Sequence, residues 1–114
     1  MRAANELPFI DVGAAAATRS TVVLLDVRED DEWVAGHAPE AVHIALHDLP
    51  SRVGELDPGR RVVCVCRSGN RSARATAWLR TRGIDAVNMS GGMQAWADAG
   101  HPVLDDLGRL GAVR

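Results

Sequence analysis

Hydrophobic residues are grouped along the chain in short apolar runs, and amphipathic segments separate these runs. The two strongest runs cover residues 21–27 and 62–66, and neither alternates apolar with polar residues. A continuous apolar run of this length is typical of a strand that is buried on both faces, as in a parallel sheet. Weaker runs at 41–44 and 84–89 predict further strands, and a short apolar piece at 7–10 precedes them all.

The amphipathic segments predict helices. In chain order, these helices cover residues 12–18, 28–36, 47–56, 73–82 and 90–100. Asp11 is a candidate N-cap for the first helix, and Gly36 is a candidate C-terminal stop for the second. Strands that alternate with helices in this rhythm imply βαβ crossovers. The pattern therefore predicts an α/β fold with a mainly parallel sheet and helices on both of its faces.

Length and composition fit one globular domain. The chain has 114 residues, of which 46% are hydrophobic and 25% are charged, and these values are ordinary for a single domain. We expect one domain over 1–114, with a core over about 9–102. The tail 103–114 has weak periodicity, so we expect it to pack loosely or to be partly disordered. Three tryptophans at apolar helical spacings are expected to anchor the core: Trp33, Trp78 and Trp96.

Charge and apolar content argue against several classes of partner. All thirteen basic residues are arginine, the net charge is -2, and no basic run suggests binding to nucleic acid. The apolar runs are too short to span a bilayer, so we expect no membrane partner. Residues 1–8 carry an acid and lack the apolar centre of a signal peptide. The expected location is cytoplasmic, where cysteines are more often reactive or plain core residues than cross-links.

Cys66 is the strongest candidate for chemistry. It ends the second strong run, and a polar segment that contains glycine and two arginines follows it directly. A thiol at this place faces the N-terminus of the next helix, where unpaired N–H groups and the helix dipole favour negative charge. Arg67 and Arg71 add positive charge, so this setting favours a thiolate nucleophile or an anion site. Asp26 lies near the end of the other strong run, so it belongs to the same edge of the sheet.

The second cysteine, Cys64, is interpreted as a core residue. It lies two residues before Cys66, so both side chains share one face of the strand and cannot form a disulfide without severe distortion. Free cysteine is commonly buried; the alternative is a resolving thiol for Cys66. A zinc site with His37 and His43 is disfavoured, because a CxC pair on a strand without a second cysteine pair matches zinc spacing poorly. We expect neither a metal nor a cofactor.

Three motifs occur in order along the chain. The first is Leu-Asp-Val-Arg-Glu at 25–29, with Glu32-Trp33 and Gly36-His37 after it. The others are Cys-Arg-Ser-Gly-Asn-Arg-Ser at 66–72 and Ser-Gly-Gly-Met-Gln-Ala-Trp at 90–96. Together they resemble the single-domain rhodaneses, which are thiosulfate sulfurtransferase-like proteins, over about 9–102. The resemblance implies a three-layer rhodanese-like fold with a mostly parallel, five-stranded sheet. One departure is Ala38-Pro39-Glu40, which replaces the isoleucine and glycine usual after the histidine.

The resemblance also implies a chemistry, in which Cys66 carries sulfane sulfur as a persulfide. The sulfur would come from thiosulfate or a similar donor and pass to cyanide or a thiol, in a ping-pong cycle. The substrate-binding loop would consist of Arg67, Ser68, Gly69, Asn70, Arg71 and Ser72. Its N–H groups would stabilise the persulfide anion, and Arg67 and Arg71 would hold sulfonate oxygens. Four residues are interpreted as a structural polar cluster rather than a catalytic relay: Asp26, Arg28, Glu32 and His37.

Two alternatives stay open at this point. The same loop would serve in a persulfide carrier or a binding module, with a protein as partner or sulfur acceptor. Phosphatase or arsenate reductase activity is less favoured. The loop from Cys66 to Arg71 has six residues, whereas the cell-cycle phosphatases that share this fold use a loop one residue longer. The shorter loop closes around a single sulfur atom and leaves little room for a tetrahedral phosphate.

Overall fold

The structure is a computed structural model that describes residues 7–114. It contains a five-stranded sheet in the order β1-β5-β4-β2-β3, and each pair of neighbouring strands is parallel. The strands are β1 (Phe9–Ile10), β2 (Val23–Asp26), β3 (Val42–His43), β4 (Val62–Val65) and β5 (Ala86–Met89). The predicted α/β fold is confirmed. Residues 1–6, to which most of the expectation about a signal peptide refers, lie outside the described residues.

Helices cover both faces of this sheet. They are α1 (Val12–Thr18), α2 (Asp30–Ala35), α3 (Leu49–Arg52), α4 (Asn70–Thr81) and α5 (Gly92–Asp98). Leu49, Ala75 and Leu79 bring α3 and α4 into the core on one face. Ala15 and Trp96 bring α1 and α5 into the core on the other. No helix within residues 7–114 has the length and apolar character needed to cross a membrane.

The central strands are buried on both faces, which explains their unbroken apolar runs. In β4, Val62 and Cys64 belong to the core under α3 and α4, whereas Val63 and Val65 belong to the core under α1 and α5. Because neighbouring side chains of a strand point to opposite faces, each position meets an apolar layer. A polar residue inside such a strand would lose its water on either side. The strand cores were therefore predicted correctly by hydrophobicity alone.

Helix α4 begins at Asn70, three residues before the predicted start at residue 73. The residue before it, Gly69, adopts a left-handed conformation with φ 107°. This turn lets the chain enter the helix directly after the loop. A residue with a side chain would disfavour the left-handed conformation that the turn needs. Part of the polar segment that the sequence placed in a loop, Asn70 to Ser72, is thus the first helical turn.

The segment predicted as one helix over 47–56 is broken into shorter pieces. Two 3₁₀ turns, Leu46–Asp48 and Val53–Glu55, flank the four-residue helix α3. Pro50 lacks an N–H donor, and Gly54 is a poor helix former, so neither favours a continuous helix here. The apolar spacing was read correctly, since Leu49 and Leu56 are buried.

The C-terminal tail packs against α2 and does not lie loosely, contrary to the expectation from its weak periodicity. Antiparallel bridges join Leu104 to His37 and to Leu110. The Ala112 N–H donates to the Ala35 carbonyl at 2.9 Å. A Cβ on Gly36 would lie 2.7 Å from the Ala112 nitrogen, so glycine is required for this close approach. Backbone hydrogen bonds hold the tail in place. Such bonds leave no hydrophobic pattern in the sequence, so the periodicity could not predict them.

Two further sequence expectations met different outcomes. Trp96 is a buried core anchor, and its Nε1 donates to the Pro102 carbonyl at 2.8 Å. Trp33 is not a core residue, because it lies half-buried in a stack with His37 and His43, at ring distances of 3.6 and 4.9 Å.

The turn after His37 contains Glu40, which has φ 67° and is the one non-glycine residue with positive φ among residues 7–114.

Candidate active site at the carboxyl edge of the sheet

Cys66 lies directly after β4, at the floor of a cup of hydrogen-bond donors. Its Sγ accepts from the Gly69 N–H at 3.1 Å, and from both the N–H and the hydroxyl of Ser72 at 3.3 Å. Burial raises the pKa of the Cys66 thiol. The hydroxyl of Ser72 and the N–H groups of Ser72, Gly69 and Ser68 outweigh this effect and hold the pKa below its ordinary value. The structure brings these residues of the predicted loop together around Sγ, and the geometry favours a thiolate.

The cup has a buried floor and an exposed rim. Cys66 is 1% exposed, whereas Arg67, Ser68 and Asn70 are exposed. No carboxylate within residues 7–114 forms an ion pair with Arg67. Cys66 Sγ therefore lies below a rim on which the Arg67 cation faces solvent. Arg67 can therefore attract an anion that approaches this edge of the sheet.

Asn88, on β5, supports the loop and was missed by the sequence analysis. Its Nδ2 donates to the Gly69 carbonyl at 3.1 Å, and its Oδ1 accepts from the Ser72 hydroxyl at 2.6 Å. A hydroxyl carries one proton, so Asn88 and Cys66 compete for the proton of Ser72. Ionisation of the thiol is thus coupled to the orientation of this hydroxyl. A polar residue near the end of a buried strand was the sequence signal that could have identified Asn88.

Helix α5 fixes the other side of the loop through its first N–H groups. The Met93 N–H donates to the Cys66 carbonyl at 2.8 Å, and the Gln94 N–H donates to the Arg67 carbonyl at 3.0 Å. Gly92 makes this approach possible, because a Cβ there would lie 2.4 Å from the Cys66 carbonyl oxygen. Gly92 of the third motif therefore serves contact with the loop, whereas a Cβ on its neighbour Gly91 would meet Ala95 within α5. The sequence indicated the motif but not this role.

The four residues expected to form one polar cluster belong to separate groups. Asp26 and Arg28 form a buried pair, with Arg28 Nε 2.9 Å from Oδ1 and Nη2 2.8 Å from Oδ2. Nη2 of Arg28 also donates to the Gly36 carbonyl at 2.8 Å. His37 is in the aromatic stack with Trp33, and its Nε2 lies 3.4 Å from Oδ1 of Asp106 in the tail. Asp26 and Arg28 therefore bond to each other, whereas Glu32 and His37 form their hydrogen bonds with other residues.

Glu32 pairs instead with the loop residue Arg71. Arg71 Nη1 lies 2.6 Å from Glu32 Oε1, and Nη2 lies 2.8 Å from Oε2. The hydrogen bond from Arg71 lowers the pKa of Glu32 to about 2, and the same bond raises the pKa of Arg71. The sequence assigned Arg71 to sulfonate oxygens, but in this structure both of its terminal nitrogens bind a carboxylate. The pair fixes α2 against the start of α4.

Cys64 lies in the core and has the properties of a structural residue. It is 0% exposed, and burial raises the pKa of its thiol to about 12. A thiol this rarely ionised is a poor resolving partner for Cys66. Within residues 7–114, no group of three or more histidine, cysteine, aspartate or glutamate side chains is arranged to hold a metal ion.

Comparison with known proteins agrees with this geometry. The rhodanese-like domain matches residues 11–99. A sulfurtransferase of Allochromatium vinosum is 37% identical over 101 residues, which cover 88% of this chain and 94% of that relative. The thiosulfate sulfurtransferase GlpE of Pseudomonas syringae pv. syringae is 33% identical over 84 residues, which cover 73% of this chain and 79% of GlpE.

A solved structure shows the same architecture. The crystal structure of a rhodanese-related protein from Thermoplasma volcanium superposes with a TM-score of 0.82 at 29% identity, and the match covers 85% of this chain and 97% of that one. The family match, the sulfurtransferase relatives and the shared fold all extend over most of the chain. This chain belongs to the rhodanese-like family.

Proposed function

We propose that this protein is a sulfurtransferase that carries sulfane sulfur as a persulfide on Cys66. The donor is thiosulfate or a similar anion, and the acceptor is a thiol or cyanide. The observation that carries this proposal is the cup around Cys66 Sγ, with donors from Gly69 and Ser72 at 3.1 and 3.3 Å. These donors stabilise a sulfur anion at this place without a metal or an added cofactor.

In the first half of the cycle, the Cys66 thiolate attacks the outer sulfur of thiosulfate. The S–S bond of thiosulfate breaks, its electron pair leaves with sulfite, and Cys66 keeps the outer sulfur as a persulfide anion. An S–S bond is about 2 Å long, so the outer sulfur extends beyond Sγ towards the rim. Arg67 is the loop cation best placed for the sulfonate, since Arg71 is engaged by Glu32.

The same cup argues against phosphoryl transfer. Three donors already surround the single Sγ atom at 3.1 to 3.3 Å, and the buried floor matches one sulfur atom better than a tetrahedral phosphate. Hydrolysis of an aryl phosphate by the wild type, lost in Cys66→Ala, would reverse this ranking. We propose a cytoplasmic location, where reducing conditions keep cysteine thiols free and supply thiols as acceptors.

Intact mass spectrometry after mixing with thiosulfate tests the proposal. The wild type should gain the mass of one sulfur atom and lose it again on addition of a thiol. Cys66→Ala should gain nothing, and the matched control Cys64→Ala should behave as the wild type. A wild type that gains no sulfur, or a Cys66→Ala protein that gains it, would refute the proposal. Slow reaction with thiosulfate combined with fast exchange to a protein thiol would favour the carrier function.

A further inference from the structure

A cleft of about 510 Å³ adjoins the active-site loop. Binding sites for small organic molecules measure roughly 300–1,000 Å³, so the cleft has the size of such a site. A small inorganic anion such as thiosulfate would fill only a fraction of it. Arg71 lines the cleft and is also part of the loop around Cys66. The cleft therefore begins next to the loop that surrounds Cys66.

One wall of the cleft is a single face of α4. Arg71, Arg74 and Trp78 line it, and their spacing of three and four residues puts them on one side of the helix. With a rise of 1.5 Å per residue, Trp78 lies about 10 Å along the helix axis from Arg71. About three extended residues of a peptide span this length. Leu46 and Pro50 add apolar surface to the cleft.

Opposite charges are present in the same cleft. Arg74 is exposed, and no carboxylate within residues 7–114 forms an ion pair with it. Glu29 also lines the cleft, where its carboxylate lies 3.8 Å from Nδ1 of His47. A cation and an anion beside apolar surface are complementary to a ligand that carries a carboxylate, an ammonium group and an aliphatic body.

From this arrangement we propose that the cleft binds the sulfur acceptor, and that the acceptor is a small zwitterionic thiol of the peptide type. Its carboxylate binds Arg74, its ammonium group faces Glu29, and its body lies along Trp78 with the thiol directed to the loop. This inference rests on the proposed function. It adds a class of acceptor and the residues that select it.

The transfer step balances without a further reactant. The acceptor thiol gives its proton to the outer sulfur of the Cys66 persulfide anion, and the acceptor thiolate that results attacks this sulfur. The bond between that sulfur and Cys66 Sγ breaks, and its electron pair returns to Cys66 as a thiolate. The proton stays on the outer sulfur, so the product is the acceptor's hydropersulfide. The donors from Gly69 and Ser72 stabilise the leaving thiolate.

Discharge of the loaded persulfide tests the acceptor site. Glutathione is the zwitterionic probe, and 2-mercaptoethanol is the uncharged one. Arg74→Gln should raise the half-saturating concentration of glutathione about fivefold, as expected for one partly solvated ion pair, with an unchanged maximal rate. It should leave discharge to 2-mercaptoethanol unchanged. Arg19→Gln, at the exposed end of α1, removes the same charge far from the cleft and should change neither reaction.

A binding measurement separates this inference from the proposed function. S-methylglutathione cannot accept sulfur, and calorimetry should show that it binds Cys66→Ala and that Arg74→Gln weakens this binding. If the persulfide forms but discharges to both thiols without any dependence on Arg74, and S-methylglutathione does not bind, the cleft proposal fails and sulfur transfer stands. If S-methylglutathione binds through Arg74 but no persulfide forms, the cleft stands as a binding site and the proposed transfer fails.

Discussion

The ion pair between Glu32 and Arg71 should make the stability of the protein depend on pH in the acid range. Glu32→Gln removes the charge of the carboxylate and keeps an oxygen that can still accept the Glu29 N–H, to which Glu32 Oε1 is bonded at 3.0 Å. The substitution therefore tests the ion pair itself rather than the start of α2. Arg71 then loses its charged partner while it stays partly in contact with water.

The magnitude follows from the pKa of Glu32, which falls from 4.5 to about 2 in the folded protein. Such a shift corresponds to roughly 3 kcal/mol of unfolding free energy. The side chains of Glu32 and Arg71 are 14% and 33% exposed, so solvent screening reduces this to about 1–2 kcal/mol. Because the folded pKa lies below the unfolded one, the contribution is complete above about pH 5. It is lost as the pH falls towards 2.

Urea unfolding of wild type and Glu32→Gln at pH 7, 5 and 3 measures this directly. The wild type should be more stable by about 1–2 kcal/mol at pH 7, and more than half of that difference should be lost at pH 3. Glu55→Gln is the matched control, since Glu55 forms a similar two-point contact with Arg52 on the open surface, and its effect should be much smaller. A difference between wild type and Glu32→Gln that stays constant with pH would refute the reasoning.

Three further predictions follow from other contacts. Gly92→Ala should destabilise the protein by about 2–4 kcal/mol in urea unfolding and slow persulfide formation, because the new Cβ would lie 2.4 Å from the Cys66 carbonyl oxygen. The control is Gly100→Ala, at a glycine with φ 83° and open space around it, which should cost only about 1 kcal/mol in the same measurement. Ser72→Ala should raise the pKa of Cys66 in the pH profile of alkylation, because it removes the hydroxyl donor at 3.3 Å. An unchanged profile would assign the hydroxyl proton to Asn88. Glu40→Gly should raise the unfolding free energy by about 1 kcal/mol, since it relieves a φ of 67°, whereas Glu40→Ala should not.

The sheet and the position of Cys66 could be predicted because hydrophobic period and chain order determine them. β2 and β4 are buried on both faces, so each appears in the sequence as a continuous apolar run that identifies it as a strand. Cys66 follows β4 and precedes a helix, and these two facts already place it at the edge where parallel strands end. Local sequence contains both facts, so no knowledge of distant contacts was needed.

The partners of side chains could not be predicted, since they depend on residues far apart in the chain. Arg71 is 39 residues from Glu32, and Ser72 is 16 residues from Asn88. Neither distance leaves a periodic signal. The same limit applies to the tail, which is held by backbone hydrogen bonds to residues near Gly36. Glu40 is the exception, because its place in a turn where the family has glycine was visible in the sequence.

The cup around Cys66 consists largely of main-chain N–H groups. Asn88 and the first N–H groups of α5 hold the loop in place through hydrogen bonds to its carbonyl oxygens. Substitutions at the outward-facing positions Arg67, Ser68 and Asn70 can therefore change what approaches the sulfur while they leave the anion-holding frame intact. Choice of donor and chemistry of transfer are separable traits in this architecture. Evolution or a protein engineer could retarget the enzyme by exchanging those few surface side chains.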